Sequence, residues 1–460
     1  MKKNIIAILS AALLFGSCGI YNKYERPDVD TRGLVRDTVS LIDTLLVSDT
    51  ANFANIPWRQ VFTDPQLQEL IQTALTNNVD MLNAALNVST AEAQLTASRL
   101  AFLPSVAFAP TGTLASFDGS KASKTYSLPV SASWNVDLFG SLLNASRSAK
   151  MQLLTAKGTQ VSIQTSLISG IANLYYTLLM LDKEVSICDE LIELSEENVR
   201  MMELQFSLGQ SNSTAVQSAK TTLMNLQVTR EEYLRNIRTT ENSLCLLLNE
   251  PGHTIARGTF DNQSLPSEFS TGFSIDLLRS RADLYVAEMN LANCFYNVNA
   301  ARSAFYPGIN ITGTGAFTNS AGSVIVNPGK WLLSAVASLT QPIFQNGKLI
   351  ANLRASKNSY QAALNTWQNT IYSAGNEVSN ALSDYNSYDK QSKIQAEELV
   401  LLRKTVDDTK MLYQRSGATY LEVITALKGL ASVEQAKVSN DLYKMQAVVS
   451  LYQALGGGAK

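Results

Sequence analysis

Two hydrophobic periodicities alternate along this chain. Leu167, Ile171, Leu174, Leu178, Leu181, Val185, Cys188 and Ile192 step by alternating fours and threes, and Leu364, Trp367, Ile371, Ala374, Val378, Ala381, Tyr385 and Tyr388 do the same later. A sustained 3.5-residue seam predicts coiled-coil helices. Residues 130–250 and 343–460 contain none of the chain's eleven prolines. Proline removes a donor and clashes with the preceding turn, so windows without it favour very long helices. Each window carries one turn signal. The first is Gly209-Gln210-Ser211-Asn212-Ser213 followed by Thr214-x-x-Gln217, and the second is Gly417-Ala418 followed by Thr419-x-x-Glu422. Both predict a glycine C-cap and then a capping box that opens the next helix. Each window is thus a helical hairpin, one arm of about 65 residues and one of about 35. At about 1.5 Å per residue the long arm is a rod of about 100 Å. A single helical bundle would show the same seam but would not need such lengths.

Period two replaces period 3.5 just ahead of each window. Tyr126, Leu128, Val130, Ala132, Trp134, Val136 and Leu138 alternate with Ser127, Pro129, Ser131, Ser133, Asn135 and Asp137, which predicts a strand. A weaker partner runs from Val106 through Leu114. The arrangement recurs with Ile309, Ile311, Gly313, Gly315 and Phe317, then Leu333, Ala335, Ala337 and Leu339. A tilted strand needs about 9 to 11 residues to cross a bilayer, and all four candidates have that reach. Apolar residues on one face and Ser, Thr and Asn on the other fit a water-filled membrane barrel. Two hairpins of a soluble protein would alternate in the same way. On the barrel reading Tyr126, Leu128 and Trp134 face lipid, while Ser131 and Ser133 face the lumen. Four strands do not close a barrel, since the smallest have about eight, so chains must pool them.

The two halves are a repeat. Pro104 and Pro307, Phe139 and Phe344, Gly209 and Gly417, and Leu248 and Leu455 are offset by 203 to 208 residues, the signature of internal duplication. The predicted organisation is a leader over 1–17, an extended segment over 18–63, a first repeat over 64–260 and a second over 261–460. Hairpins fall at about 104–138 and 307–343, and helical hairpins at about 140–250 and 347–455.

Composition narrows the function. Charged residues are only 17%, against about 25% in typical domains. The net charge of -2 excludes an overall basic footprint for nucleic acid and a highly charged disordered chain. The single histidine, His253, follows Pro251-Gly252 in a loop between the repeats. The pairs Glu196-Glu197, Glu231-Glu232 and Asp407-Asp408 lie on helices, where adjacent side chains point about 100° apart and form no catalytic pair. Gly456-Gly457-Gly458 precedes no helix, so it is no phosphate loop. These features argue against an enzyme, and no cofactor or metal is expected. Cys188, Cys245 and Cys294 are far apart and fit small buried apolar positions.

The first residues form a targeting segment. Lys2 and Lys3 precede an apolar run over 5–15 that is too short to span a membrane. Phe15-Gly16-Ser17-Cys18 follows, with small residues directly before a cysteine. This fits bacterial lipoprotein cleavage, with Phe15 where an aliphatic residue is usual. It predicts a covalent lipid on Cys18 and export to a membrane surface. Ordinary secretory cleavage nearby is the alternative.

Several short stretches, in order, resemble the TolC-type outer-membrane efflux family in its lipoprotein branch. They are Trp134-Asn135-Val136-Asp137-Leu138-Phe139-Gly140; Arg281-Ala282-Asp283-Leu284 with Ala287-Glu288, where Ala282 replaces a proline; and Phe305-Tyr306-Pro307. Gln341-Pro342-Ile343-Phe344-Gln345-Asn346-Gly347, Tyr413-x-x-x-Gly417-x-x-Tyr420-Leu421 and the end from Leu451 to Gly458 complete the set. The resemblance implies an α+β membrane protein with an internal two-fold repeat. Three chains would contribute four strands each to a 12-stranded transmembrane β-barrel, continued by a long α-helical coiled-coil barrel through the periplasm. It implies a homotrimer in the outer membrane, lipid-anchored, serving as the passive exit of a tripartite efflux pump for small molecules or drugs. Its partners would be outer-membrane lipid, a periplasmic adaptor protein and an inner-membrane transporter of the resistance-nodulation-division type; nucleic acid is not among them. The adaptor would meet the tips at Gly209, Ser211, Gly417 and Thr419. The family's periplasmic gate maps to Leu421, Thr425 and Lys428, where Thr425 replaces an aspartate. Closure is therefore expected at an apolar constriction formed by Leu421, with Lys428 and Glu422 forming at most weak exposed pairs. A one-step protein secretion channel shares this pattern. A non-conducting periplasmic scaffold lipoprotein would leave the four strands without a role.

Overall fold

The computed structural model describes residues 22–29, 56–116, 118–119, 121–266, 281–321, 324–415 and 417–458. They fall into two compact units, each drawn from both halves of the sequence. One comprises Leu86–Gly158 and Tyr285–Thr370 with residues 22–29; the other comprises residues 56–85, Thr159–Leu284 and residues 371–458.

The repeat is visible element by element. Three short helices open the first half: α1 (Trp58–Val61), α2 (Pro65–Asn77) and the 22-residue α3 (Val79–Leu100). Strands β1 (Ser105–Phe108), β2 (Thr111–Ala115) and β3 (Ser123–Val136) follow. Then come α4 (Ser141–Ser207) and α5 (Ser213–Leu248), of 67 and 36 residues. The second half gives α6 (Ala282–Ser303), again 22 residues, then β4 (Gly308–Ala321) and β5 (Val324–Thr340). Helices α7 (Lys348–Gln414) and α8 (Tyr420–Ala454) end it with 67 and 35 residues.

In the first unit every strand pairing is antiparallel and the sheet order is β1 and β2, then β3, β4 and β5. The predicted single strand over 106–114 is broken. Pro110 has no N–H to give to a ladder, so pairing stops after Phe108 and resumes at Thr111. The register is unchanged, with Phe108 opposite Val130 and Thr111 opposite Ser127. The described residues 22–29 lie along α6. There Arg26 pairs with Glu288 and sits over the Trp367 ring, and Tyr24 packs edge-on against Phe295.

The second unit holds the dense core. Phe62, Leu67 and Ile71 bury fully with Ile171, Tyr175, Leu178, Leu244 and Tyr452. Seam residues Leu167, Leu178 and Cys188 on α4, and Ala374, Val378 and Ala381 on α7, are buried as their spacing requires. Polar groups entering this core are matched. Tyr175 Oη donates to Asp64 at 2.7 Å and accepts from Gly258 N–H at 2.9 Å. Arg257 holds Asp182 through two nitrogens and Glu241 through a third. Arg281 binds Asp283 bidentately, Glu377 at 2.6 Å and the Ala454 carbonyl, which ends α8, at 2.8 Å. Burial alone would raise the Asp283 carboxyl, but Arg281 beside it holds it below the usual range.

Candidate functional site: a two-faced sheet and two helical tips

Residues directly opposite in an antiparallel sheet point to the same side, so the registers assign each face. One face carries Phe108, Val130, Gly315 and Leu333 in one row, and Val106, Ala132, Gly313 and Ala335 in the next. Leu128, Phe317 and Trp331 lie on one flank of these rows, and Trp134, Ile311 and Ala337 on the other. This face is almost wholly apolar, yet in the single chain Leu128, Val130, Trp331 and Leu333 are exposed, Leu333 by 85%. The opposite face carries Ser131, Thr314 and Ser334, then Ser133 and Thr312, then Asn135, Asn310 and Ser338, interrupted by Ala107, by Val336 and by the row Pro129, Ala316 and Leu332. Ser133 Oγ donates to Asn310 Oδ1 at 3.0 Å on that side.

Aromatic side chains bracket the apolar face. Tyr126, Phe317 and Trp331 form one cluster, with centroids 6.2 and 5.7 Å apart. Eight residues along β3, Trp134 donates its indole N–H to the Phe102 carbonyl at 2.9 Å. Eight steps of about 3.3 Å make about 26 Å along the strand, comparable with the ~25 Å apolar band of outer-membrane barrels. The outer edges of β1 and β2 on one side, and of β5 on the other, have no strand partner among the described residues.

The helical tips lie in the second unit. At the first, the Gly209 N–H donates to Phe206 and the Gln210 N–H to Gln205, with Gly209 at φ +73°. This is a Schellman closure around a left-handed residue. At the second tip the Gly417 N–H reaches Leu412 at 2.8 Å, the bond that Gln210 makes at the first. Gly417 thus stands one position past the place Gly209 occupies, which corrects the reading of the two glycines as equivalent caps. A second correction concerns the start of α5. Its cap is Asn212, whose Oδ1 accepts from Ala215 N–H at 2.9 Å, not Thr214, which lies inside the first turn. Asn caps as well as Ser or Asp, and using it starts the helix earlier. Ser211 is half-buried beside it. The Thr419-Glu422 capping box forms as expected, and the Thr419 N–H holds the Glu422 carboxyl below its ordinary range.

Leu421, Thr425 and Lys428 share one exposed stripe of α8, with Leu421 exposed by 69%. Thr425 Oγ1 donates back to the Leu421 carbonyl at 2.8 Å. Glu422 is engaged by Thr419 and makes no ion pair with Lys428. Sequence reasoning missed a buried polar group nearby. Glu184 on α4 is 3% exposed, and burial pushes its carboxyl up against the opposing hydrogen bonds of Gln435 and Tyr233. An acidic residue on the seam face of α4 was the available signal. Cys18 lies outside the described residues. Among the described residues no helix is long and apolar enough to cross a membrane, and no group of three or more His, Cys, Asp or Glu could hold a metal ion.

Comparison with known proteins agrees with this geometry. Residues 70–250 and 275–457 match the family described as outer membrane efflux protein. The cation efflux system protein CusC of Escherichia coli is 28% identical over 450 residues, covering 97% of this chain and 98% of its own. The toluene efflux pump outer membrane protein TtgC of Pseudomonas putida is also 28% identical, over 476 residues, covering 100% of this chain and 96% of its own. A crystal structure of CusC superposes with a TM-score of 0.83 at 26% identity, covering 95% of this chain and 99% of that one.

Proposed function

The chain belongs to the outer membrane efflux protein family, and from that premise we propose that three copies close one barrel and form the passive exit of a tripartite pump. It is an outer-membrane efflux channel protein. The observation that carries the trimer is the open, two-faced sheet. An apolar face left in water and two unpaired edges are costly in a lone chain. Both are resolved when the β1/β2 edge of one copy meets the β5 edge of the next and lipid covers the apolar face. The polar face, with Ser131, Ser133 and Asn310, then lines a wet pore. The role is conduction, not catalysis. A periplasmic adaptor binds the tips near Gly209, Ser211, Gly417 and Thr419, and an inner-membrane transporter of the resistance-nodulation-division type supplies the cargo. A lipid on Cys18 anchors the N-terminus; several acyl chains hold firmly where one is marginal.

The cargo class is small molecules or ions. CusC is named for cations and TtgC for toluene at the same identity, so overall similarity does not choose between these cargoes. Purification of the tagged chain from native envelopes tests the whole reading. A detergent-resistant trimer should elute with an adaptor and a transporter, and its mature N-terminus should be acylated at Cys18 by mass spectrometry. A monomer with an unmodified cysteine and no envelope partner would overturn it.

A further inference from the structure

Helices α4, α5 and α8 enclose a groove of about 350 Å³ in the second unit, within the range of small-molecule sites. Leu194 on α4, Leu226 on α5 and Leu427 on α8 give it an apolar wall. The rest of the lining is polar, with Thr222, Asn225, Thr229 and Ser432 among it, and two of its members stand out. Ser195 lines the groove, is 5% exposed, and its hydroxyl has no hydrogen-bond partner. Lys428 is the one charged residue among the described residues that line it, and its amine makes no ion pair with a described residue. Neighbouring charges are spent on each other: Arg230 on Asp189, and Arg403 on Glu434.

At the inner end Gln435 lines the groove and reaches Tyr233 Oη at 3.5 Å. Behind it sits Glu184, whose burial favours the uncharged acid.

We propose that this groove is a binding site for a small amphipathic monoanion, with a single short acyl or aryl body on the leucine wall and its acidic head at Lys428. A groove of about 350 Å³ matches one short chain. The occupant touches α8 on one side and α4 and α5 on the other. Lys428 lies seven residues, or about 10 Å, along α8 from Leu421. Occupancy therefore ties the gate-bearing helix to the other hairpin.

Equilibrium dialysis of labelled octanoate against the full-length protein in amphipol tests it, with octylammonium as the charge-reversed control. Octanoate should bind saturably at one site per chain, and octylammonium should not compete. Lys428→Gln should weaken binding about tenfold, as expected for loss of a charge-assisted contact, and Lys428→Arg should restore it. Leu194→Trp, which fills the groove, should abolish it. Non-saturable uptake, equal competition by octylammonium, or octanoate binding that neither variant changes would overturn the proposal. Because Lys428 is exposed, its replacement keeps the test independent of folding defects at Leu194.

Discussion

Gly209 shows what a single residue contributes at a tip. Its φ of +73° costs an L-residue about 1 to 2 kcal/mol, a strain that glycine escapes. Gly209→Ala should lower the local opening free energy of the first tip by about 1 kcal/mol, read as faster amide exchange at Gln210 and Ala215. Gly417→Ala should cost less, because the added methyl would meet Leu412 at an ordinary 3.4 Å. Equal effects would mean that both tips turn on their glycine in the same way. The sequence made both glycines legible as chain reversals, since each interrupts a long seam. Which one carries the left-handed conformation depends on where the helix ends, and helix ends are set within a residue by competing caps. Asn212 illustrates the same limit: three cap-forming residues, Asn212, Ser213 and Thr214, stand in a row, and spacing alone does not choose among them. Arg281 was legible only as part of a motif. Its partners, Glu377 and Ala454, lie 96 and 173 positions away, a distance no local pattern spans.

Periodicity made the elements themselves readable. A seam sustained over about 25 residues in each long helix gives many independent votes, and the two halves vote twice. The sheet was less certain from sequence, because alternation serves soluble and membrane hairpins equally. What separates them is register. Once Leu128 is opposite Phe317 and that residue opposite Trp331, apolar side chains from three strands line up on one face and aromatic rings bracket them. The break at Pro110 leaves the register intact, so it does not disturb this face. A cation on the lipid side of a barrel costs about 2 to 4 kcal/mol near the midplane, while the lumen tolerates it. Leu128→Arg should therefore reduce the detergent-resistant trimer recovered from membranes, and Ser131→Arg, on the opposite face, should leave its yield near wild type. If both variants lose the trimer alike, the faces are assigned wrongly or the strands do not meet lipid.

For the assembled channel the question is what keeps it shut, and the residues of α8 favour an apolar closure. Leu421 is a large apolar side chain that a lone chain leaves 69% exposed, as expected of a group that finds its partners only in other copies. Thr425, which the resemblance aligns with the family's aspartate, turns its hydroxyl back onto the Leu421 carbonyl. Thr425 brings no carboxylate to that position, and Glu422 is committed to its own helix cap. Among the described residues of one chain, that leaves Lys428 without a carboxylate to lock against. Exposed ion pairs are worth only about 0 to 1 kcal/mol in any case, too little to hold a pore closed. A narrow apolar ring instead bars ions by excluding water. Single-channel recordings in planar bilayers discriminate the two. Leu421→Ser should raise conductance several-fold by wetting the constriction, and Lys428→Ala, recorded without added anion, should change it far less. Should Lys428→Ala open the pore while Leu421→Ser leaves it shut, closure is electrostatic and the lysine stripe, not the leucine, is the gate.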